Sequence, residues 1–231
     1  MMEYTIRRTD SPPPAGTEWE ALWNGPYWQK AATLEITHWH PLGSDHKPRT
    51  QCKVLYDDKG LYLFWRVEDK YVHSTRTEYQ SDVYQDSAVE FFVEPDPAVG
   101  YVNIETNCGG AFLVKIPPPP GSEPIPPDAP PGFGRAFMGE IGRNIRARAS
   151  MPRTTDPEIE GPVTWYIESF IPFAVLESVF GTVAPKSGDA WRANFYKIAG
   201  ECSHPNYGQW SPIGERLSFH QPQYFAPIRF E

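Results

Sequence analysis

An all-β fold is what this sequence predicts: an antiparallel two-sheet β-sandwich, jelly-roll-like, with long loops. Three observations carry that expectation. Short apolar runs with period-two alternation recur between turn signals, no stretch has the spacing of a long amphipathic helix, and no internal repeat is apparent.

Residues 1–28 read as an N-terminal strap, in which Ser11-Pro12-Pro13-Pro14-Ala15-Gly16 is followed by Trp19, Trp23, Tyr27 and Trp28. Four large rings in ten residues need a surface to bury against, so the strap is expected to pack on the main body. From Thr33 the chain turns strand-like, with LEITHW first. CKVLYDDKGLYLFWRVED then reads as a β-hairpin, with Asp57-Asp58-Lys59-Gly60 as its turn.

SAVEFFVEPD and YVNIETNC form a second antiparallel pair. Alternation sorts Val89, Phe91 and Val93 onto one face, and Glu90, Phe92 and Glu94 onto the other. On the partner strand, Val102 and Ile104 oppose Tyr101, Asn103 and Glu105. Residues 116–134 form a proline-rich inserted loop, because proline cannot donate to a strand ladder. IGRNIRARASMP reads as a strand with a polar face, TWYIESFIPFAVL as a strand entering a short helical turn, AWRANFYKIAGE as a long strand, and FAPIRFE as a final one.

With 231 residues, 40% of them hydrophobic, the chain is expected to be one domain spanning 1–231 around a sizeable core. A net charge of −8 gives no support to a phosphate-binding surface, so nucleic acid is not an expected partner. The first thirty residues lack a signal-peptide apolar run and no later stretch is long enough to span a bilayer, which predicts no membrane partner and a soluble, cytoplasmic chain. Cys52, Cys108 and Cys202 are odd in number and widely spaced, which fits small buried hydrophobes better than a disulfide framework or a zinc site.

The order and spacing of KVLYDDKGLYLFWRVED, VYQDSAVEFFVEP, YVNIETN, WYIESFIPF, WRANFYKI and WSPIGERLSFHQPQYFAPIRF resemble the family 9 carbohydrate-binding modules and their family-9-like relatives, from about Trp28 to the C-terminus. The resemblance implies a β-sandwich that holds the end of a sugar chain between two aromatic rings, linked to polysaccharide breakdown. It implies a mostly secreted setting, no required cofactor, and compatibility with a structural calcium. Carried over by position, the first ring falls at Tyr84 and the second at Trp210, with Glu90 and Asn103 as polar partners. Tyr84 stands where tryptophan is common in the family, and Tyr101 where an arginine lies near the sugar.

A sugar ring needs a flat apolar partner and strong donors and acceptors at its edge. Tyr207, three residues before Trp210, is an alternative second ring. Glu105 shares a strand face with Asn103, and Arg192 with Asn194 extends the same kind of polar row. Glu168 and Arg192 also suit a structural pairing of buried charges. His220 reads as a hydrogen-bonded residue near the site.

The metal site is open: His38 and His40 share a face without a third ligand, and Asp57-Asp58, Asp82 and Asp86 match no calcium-loop spacing. Turn chemistry is the expected role of Asp57-Asp58. The competing functions are a glycoside hydrolase using Glu90 and Glu105, a haem binder using Met138 or Met151, and a protein-docking domain presenting its aromatic edge.

Overall fold

In the computed structural model, which describes residues 2–117 and 139–231, the chain is all-β with a few short helices. Its strands are β1 (Tyr4–Arg8), β2 (Leu34–Ile36), β3 (His38–Trp39), β4 (Arg49–Tyr56), β5 (Gly60–Ser74), β6 (Ser87–Asp96), β7 (Gly100–Asn107), β8 (Phe112–Lys115), β9 (Arg146–Ala149), β10 (Thr155–Pro172), β11 (Ala190–Ala199), β12 (Asn206–Gln209) and β13 (Ala226–Phe230). The helices are α1 (Trp19–Asn24), α2 (Gly139–Gly142) and α3 (Phe173–Phe180). No helix among the described residues is long and apolar enough to cross a membrane.

The hydrogen-bonded path runs β8-β7-β6-β11-β13-β1-β4-β5-β10-β9. Here the expected pair of separate antiparallel sheets needs correction. β1 pairs in parallel with both β13 and β4, and so stitches two largely antiparallel halves into one mixed, nearly closed sheet. The strand itself, YTIRR, lies inside the segment read as a strap. Five residues with only Tyr4 and Ile6 buried carry too little alternation to stand out, and the pairing that defines β1 comes from residues more than 40 positions away.

The two halves face each other across a shared core. Val54, Leu63, Trp65 and Ile167 from one side meet Val89, Phe91, Ile104 and Phe195 from the other, and the Trp65 and Phe195 rings lie 5.8 Å apart. Lys197 is fully buried in this core. Its ammonium lies 3.6 Å from Asp69 Oδ2, and donates to the Ile198 carbonyl at 3.0 Å and to Asn206 Oδ1 at 3.2 Å. Burial alone would raise the Asp69 carboxyl, but Lys197, His46 and the Lys70 N–H together lower it to about 2.

The β4–β5 hairpin forms as expected. Asp57 Oδ1 accepts from the Lys59 N–H at 2.7 Å and the Gly60 N–H at 3.2 Å, which is the turn chemistry assigned to it. Gly60 is required there, since a Cβ would sit 2.2 Å from the Ile171 carbonyl oxygen on β10. Outside this half, Trp23 and Trp28 pack on Phe64 with ring centroids 5.3 and 5.1 Å away, and Lys53 donates to the Trp23 carbonyl at 2.8 Å. The aromatic strap thus buries on the main body, on the face of β4, β5 and β10 turned away from the shared core.

The expected strand over 141–152 is shorter in the structure, with α2 ahead of it and β9 confined to Arg146–Ala149. β10 runs through Pro172 into α3, as the sequence suggests. All three cysteines are buried and free. Most of the proline-rich insertion, together with Met138, lies outside the described residues.

Candidate functional site

The outward face of β8-β7-β6-β11 carries the candidate site, and strand register sets its floor. Glu90 on β6 stands directly opposite Glu105 on β7 and Tyr196 on β11, while Leu113 on β8 faces Glu105. One row along, Phe92 lies between Asn103 and Asn194, with Lys115 beyond Asn103. The apolar residues between these positions point into the core, so period two alone delivers the polar set to the other face.

Residues 213–225 fold over part of this face. Phe219 stacks on Tyr196 with centroids 4.1 Å apart, and the Tyr101 hydroxyl and His220 Nδ1 share a 2.8 Å hydrogen bond. What remains open is a cleft of about 370 Å³ lined by Tyr84, Glu90, Phe92, Glu105, Lys115, Ile198, Tyr207 and residues 217–220. Two half-buried rings help wall it. Tyr84 sits in a single 3-10 turn whose carbonyl accepts from the Gly200 N–H at 3.2 Å, and Tyr207 pairs with Ile198 across β12 and β11.

Glu90 and Glu105 are 3% and 2% exposed. Cross-strand neighbours lie roughly 5 Å apart, so two ionised carboxylates there would repel by about 3 kcal/mol at an effective dielectric near 20. Burial, and then the Glu105 charge, push the Glu90 carboxyl well above its ordinary range, with Lys115 and Lys197 pulling the other way. Asn103 donates to Glu105 Oε1 at 2.7 Å, while its own buried Oδ1 accepts no hydrogen bond among the described residues.

An acidic floor beneath tyrosine walls fits a ligand with an apolar face and many hydroxyls. The model of carbohydrate-binding family 9 matches residues 28–230. The chain belongs to that family. Three solved structures share its fold. A candidate carbohydrate-binding protein from Bacteroides uniformis is 23% identical over 99% of both chains, with a TM-score of 0.77. A family 9 module from Caldicellulosiruptor kristjanssonii in complex with cellotriose is 13% identical over 100% of this chain and 94% of its own, with a TM-score of 0.63. A structure of such a module from the same organism in complex with glucose is 14% identical over 98% and 95%, with a TM-score of 0.61. No curated protein sequence is a significant match.

In this family 9 chain the cleft gathers Tyr84, Glu90, Glu105 and Tyr207 directly. Asn103 and Tyr101 act from behind, the first bonded to Glu105 and the second to His220, which lines the cleft as a hydrogen-bonded neighbour. Trp210 is not brought there. It is 6% exposed in the shared core, where its ring meets Phe195 edge-on at 5.6 Å. The reason is strand phase: Trp210 continues the ladder of β12 through its N–H to the Phe195 carbonyl, and an odd offset of three from Tyr207 turns it to the opposite face.

Arg192 is also elsewhere. It pairs with Glu94 at 2.9 Å and donates to the Pro222 carbonyl, two rows from Glu90. Its expected grouping with Glu168 does not occur, since Glu168 pairs with Arg148. The cleft residues that sequence reasoning missed are Phe92, Lys115, Ile198 and Leu217–Phe219. Alternation already set Phe92 beside Glu90, whereas Lys115 needed the β7–β8 register and the loop residues needed the fold.

Among the described residues no group of three or more His, Cys, Asp or Glu side chains could hold a metal ion. His40 is buried, with Nε2 3.0 Å from the Glu215 carbonyl. Asp86 is consumed by Arg76, Asn107 and the Thr75 N–H.

Proposed function

We propose that this chain binds a saccharide, at the end of an oligo- or polysaccharide, in the cleft walled by Tyr84 and Tyr207 and floored by Glu90 and Glu105. The observation that carries the reading is the buried Glu90–Glu105 pair opening into a cleft with tyrosine walls. Rings supply a face for the C–H side of a sugar, and carboxyl oxygens accept hydrogen bonds from its hydroxyls. Membership of a carbohydrate-binding family points the same way. No reaction is assigned to the pair, because both carboxylates rise from one floor rather than flanking a bond from opposite walls.

Isothermal titration with a panel of neutral and amino sugars and their oligomers, in calcium and in EDTA, tests this. Saccharide binding that Tyr207→Ala abolishes without lowering the melting temperature supports it. Binding that survives both Tyr207→Ala and Glu90→Gln overturns the site, and release of shortened sugars on incubation would move hydrolysis to the front.

A further inference from the structure

One ring nitrogen at the edge of the cleft is uncommitted. His220 is exposed, lines the cleft, and packs its imidazole on Phe92 with centroids 5.2 Å apart and planes 34° from parallel. Its Nδ1 is 2.8 Å from the hydroxyl of Tyr101, a residue 4% exposed whose own ring stacks on Phe92. Its Nε2 has no hydrogen-bond partner among the described residues.

A neutral imidazole carries one ring proton, and the bond made at one nitrogen decides which nitrogen holds it. Among the described residues, His220 Nδ1 is the one acceptor within reach of the buried Tyr101 hydroxyl. A proton on Nδ1 would leave that O–H unsatisfied, a state that buried hydroxyls avoid. Burial also raises the Tyr101 phenol above its ordinary value, so its proton stays in place. Tyr101 therefore donates to Nδ1, and the ring proton of His220 is on Nε2. The two nitrogens of an imidazole point in largely opposed directions, so Nε2–H faces away from buried Tyr101.

Sugar oxygens accept hydrogen bonds as well as donate them, and neither a ring face nor an ionised carboxylate supplies a donor. Among the described residues lining the cleft, Lys115 and His220 are the two nitrogen donors. We propose that His220 is a sugar-contacting residue that gives its Nε2–H to an oxygen of the bound saccharide, and that Tyr101 is a positioning residue that fixes this tautomer from behind. This rests on the saccharide reading of the same cleft.

The test uses the whole chain at pH 7.5, where an ordinary imidazole is neutral. Long-range 1H–15N correlation spectra of the free protein, with His220→Gln identifying the signal, should show the proton on Nε2. Titration with glucose, galactose, xylose, N-acetylglucosamine and their trimers then finds the tightest ligand. His220→Ala should weaken that ligand about tenfold or more, and His220→Gln, which keeps an amide donor at similar reach, about threefold or less. Tyr101→Phe should weaken it about threefold or more and turn the single tautomer into a mixture. A proton found on Nδ1, or wild-type affinity in His220→Ala while Tyr207→Ala abolishes binding, overturns the His220 assignment and leaves the saccharide site standing. Should His220→Ala fail to fold, unchanged affinity and tautomer in Tyr101→Phe overturn it instead. If no sugar binds the native chain, the saccharide reading falls and takes the His220 assignment with it.

Discussion

Glu90 and Glu105 are direct cross-strand neighbours, both nearly inaccessible to solvent, on a strand pair whose other face packs Val89, Phe91, Val93, Val102 and Ile104 into the core. Their juxtaposition costs stability at neutral pH. Because the fold raises the Glu90 carboxyl above its ordinary value, its contribution is fully present below about pH 4.5 and is lost as pH rises through the folded value. Glu90→Gln should therefore raise the melting temperature at pH 7.5, by roughly 2–4 °C for each kcal/mol relieved. The gain should shrink near pH 4, and saccharide binding should be lost. Thermal melts at the two pH values check the sign.

Two aromatic substitutions three positions apart should behave oppositely. Tyr207 lines the cleft and is half-buried, so Tyr207→Ala removes a stacking face and should abolish binding with little effect on melting. Trp210 fills the core, so Trp210→Ala should cost about 3–5 kcal/mol in denaturant unfolding. Loss of binding in Trp210→Ala with unchanged stability would contradict its placement.

Lys197 and Asp69 form the buried ion pair of the core. The Asp69 carboxyl is lowered to about 2, so the stability it contributes is present above about pH 4 and disappears as pH falls towards 2. Asp69→Asn strands the Lys197 ammonium and should cost about 3–5 kcal/mol at neutral pH, while flattening the acid limb of the stability profile. Urea titrations from pH 7 to pH 2 measure both.

The strap should be separable from binding. Trp28 is fully buried against Phe64 on the half of the sheet that does not carry the cleft. Trp28→Ala should destabilise by about 3–5 kcal/mol yet leave the saccharide affinity of the folded protein unchanged.

Period-two alternation and turn chemistry are local, and they were readable without coordinates. They placed the β4–β5 hairpin, the pairing of β6 with β7, and the split that sends Val89, Phe91 and Val93 inward and Glu90 and Glu94 outward. Half of the floor of the cleft followed from that split. The resemblance to family 9 pointed by position to Tyr84 and Glu90, which line the cleft, and to Asn103, which bonds Glu105 from behind.

Other features depended on which strands meet. Nothing in YTIRR says that it will lie parallel between β13 and β4, because its partners are Leu55 and Tyr56 on one side and the C-terminal strand on the other, both far away in sequence. Lys115 and residues 217–220 join the site only when β8 and the C-terminal loop are laid on β6 and β7. Tyr207 and Trp210 are both large rings in a glycine-containing loop sequence, and position in the family favours Trp210, with Tyr207 as the alternative. The ladder from β12 to β11 decided between them, since an odd offset along an extended chain puts two side chains on opposite faces, one to the cleft and one to the core.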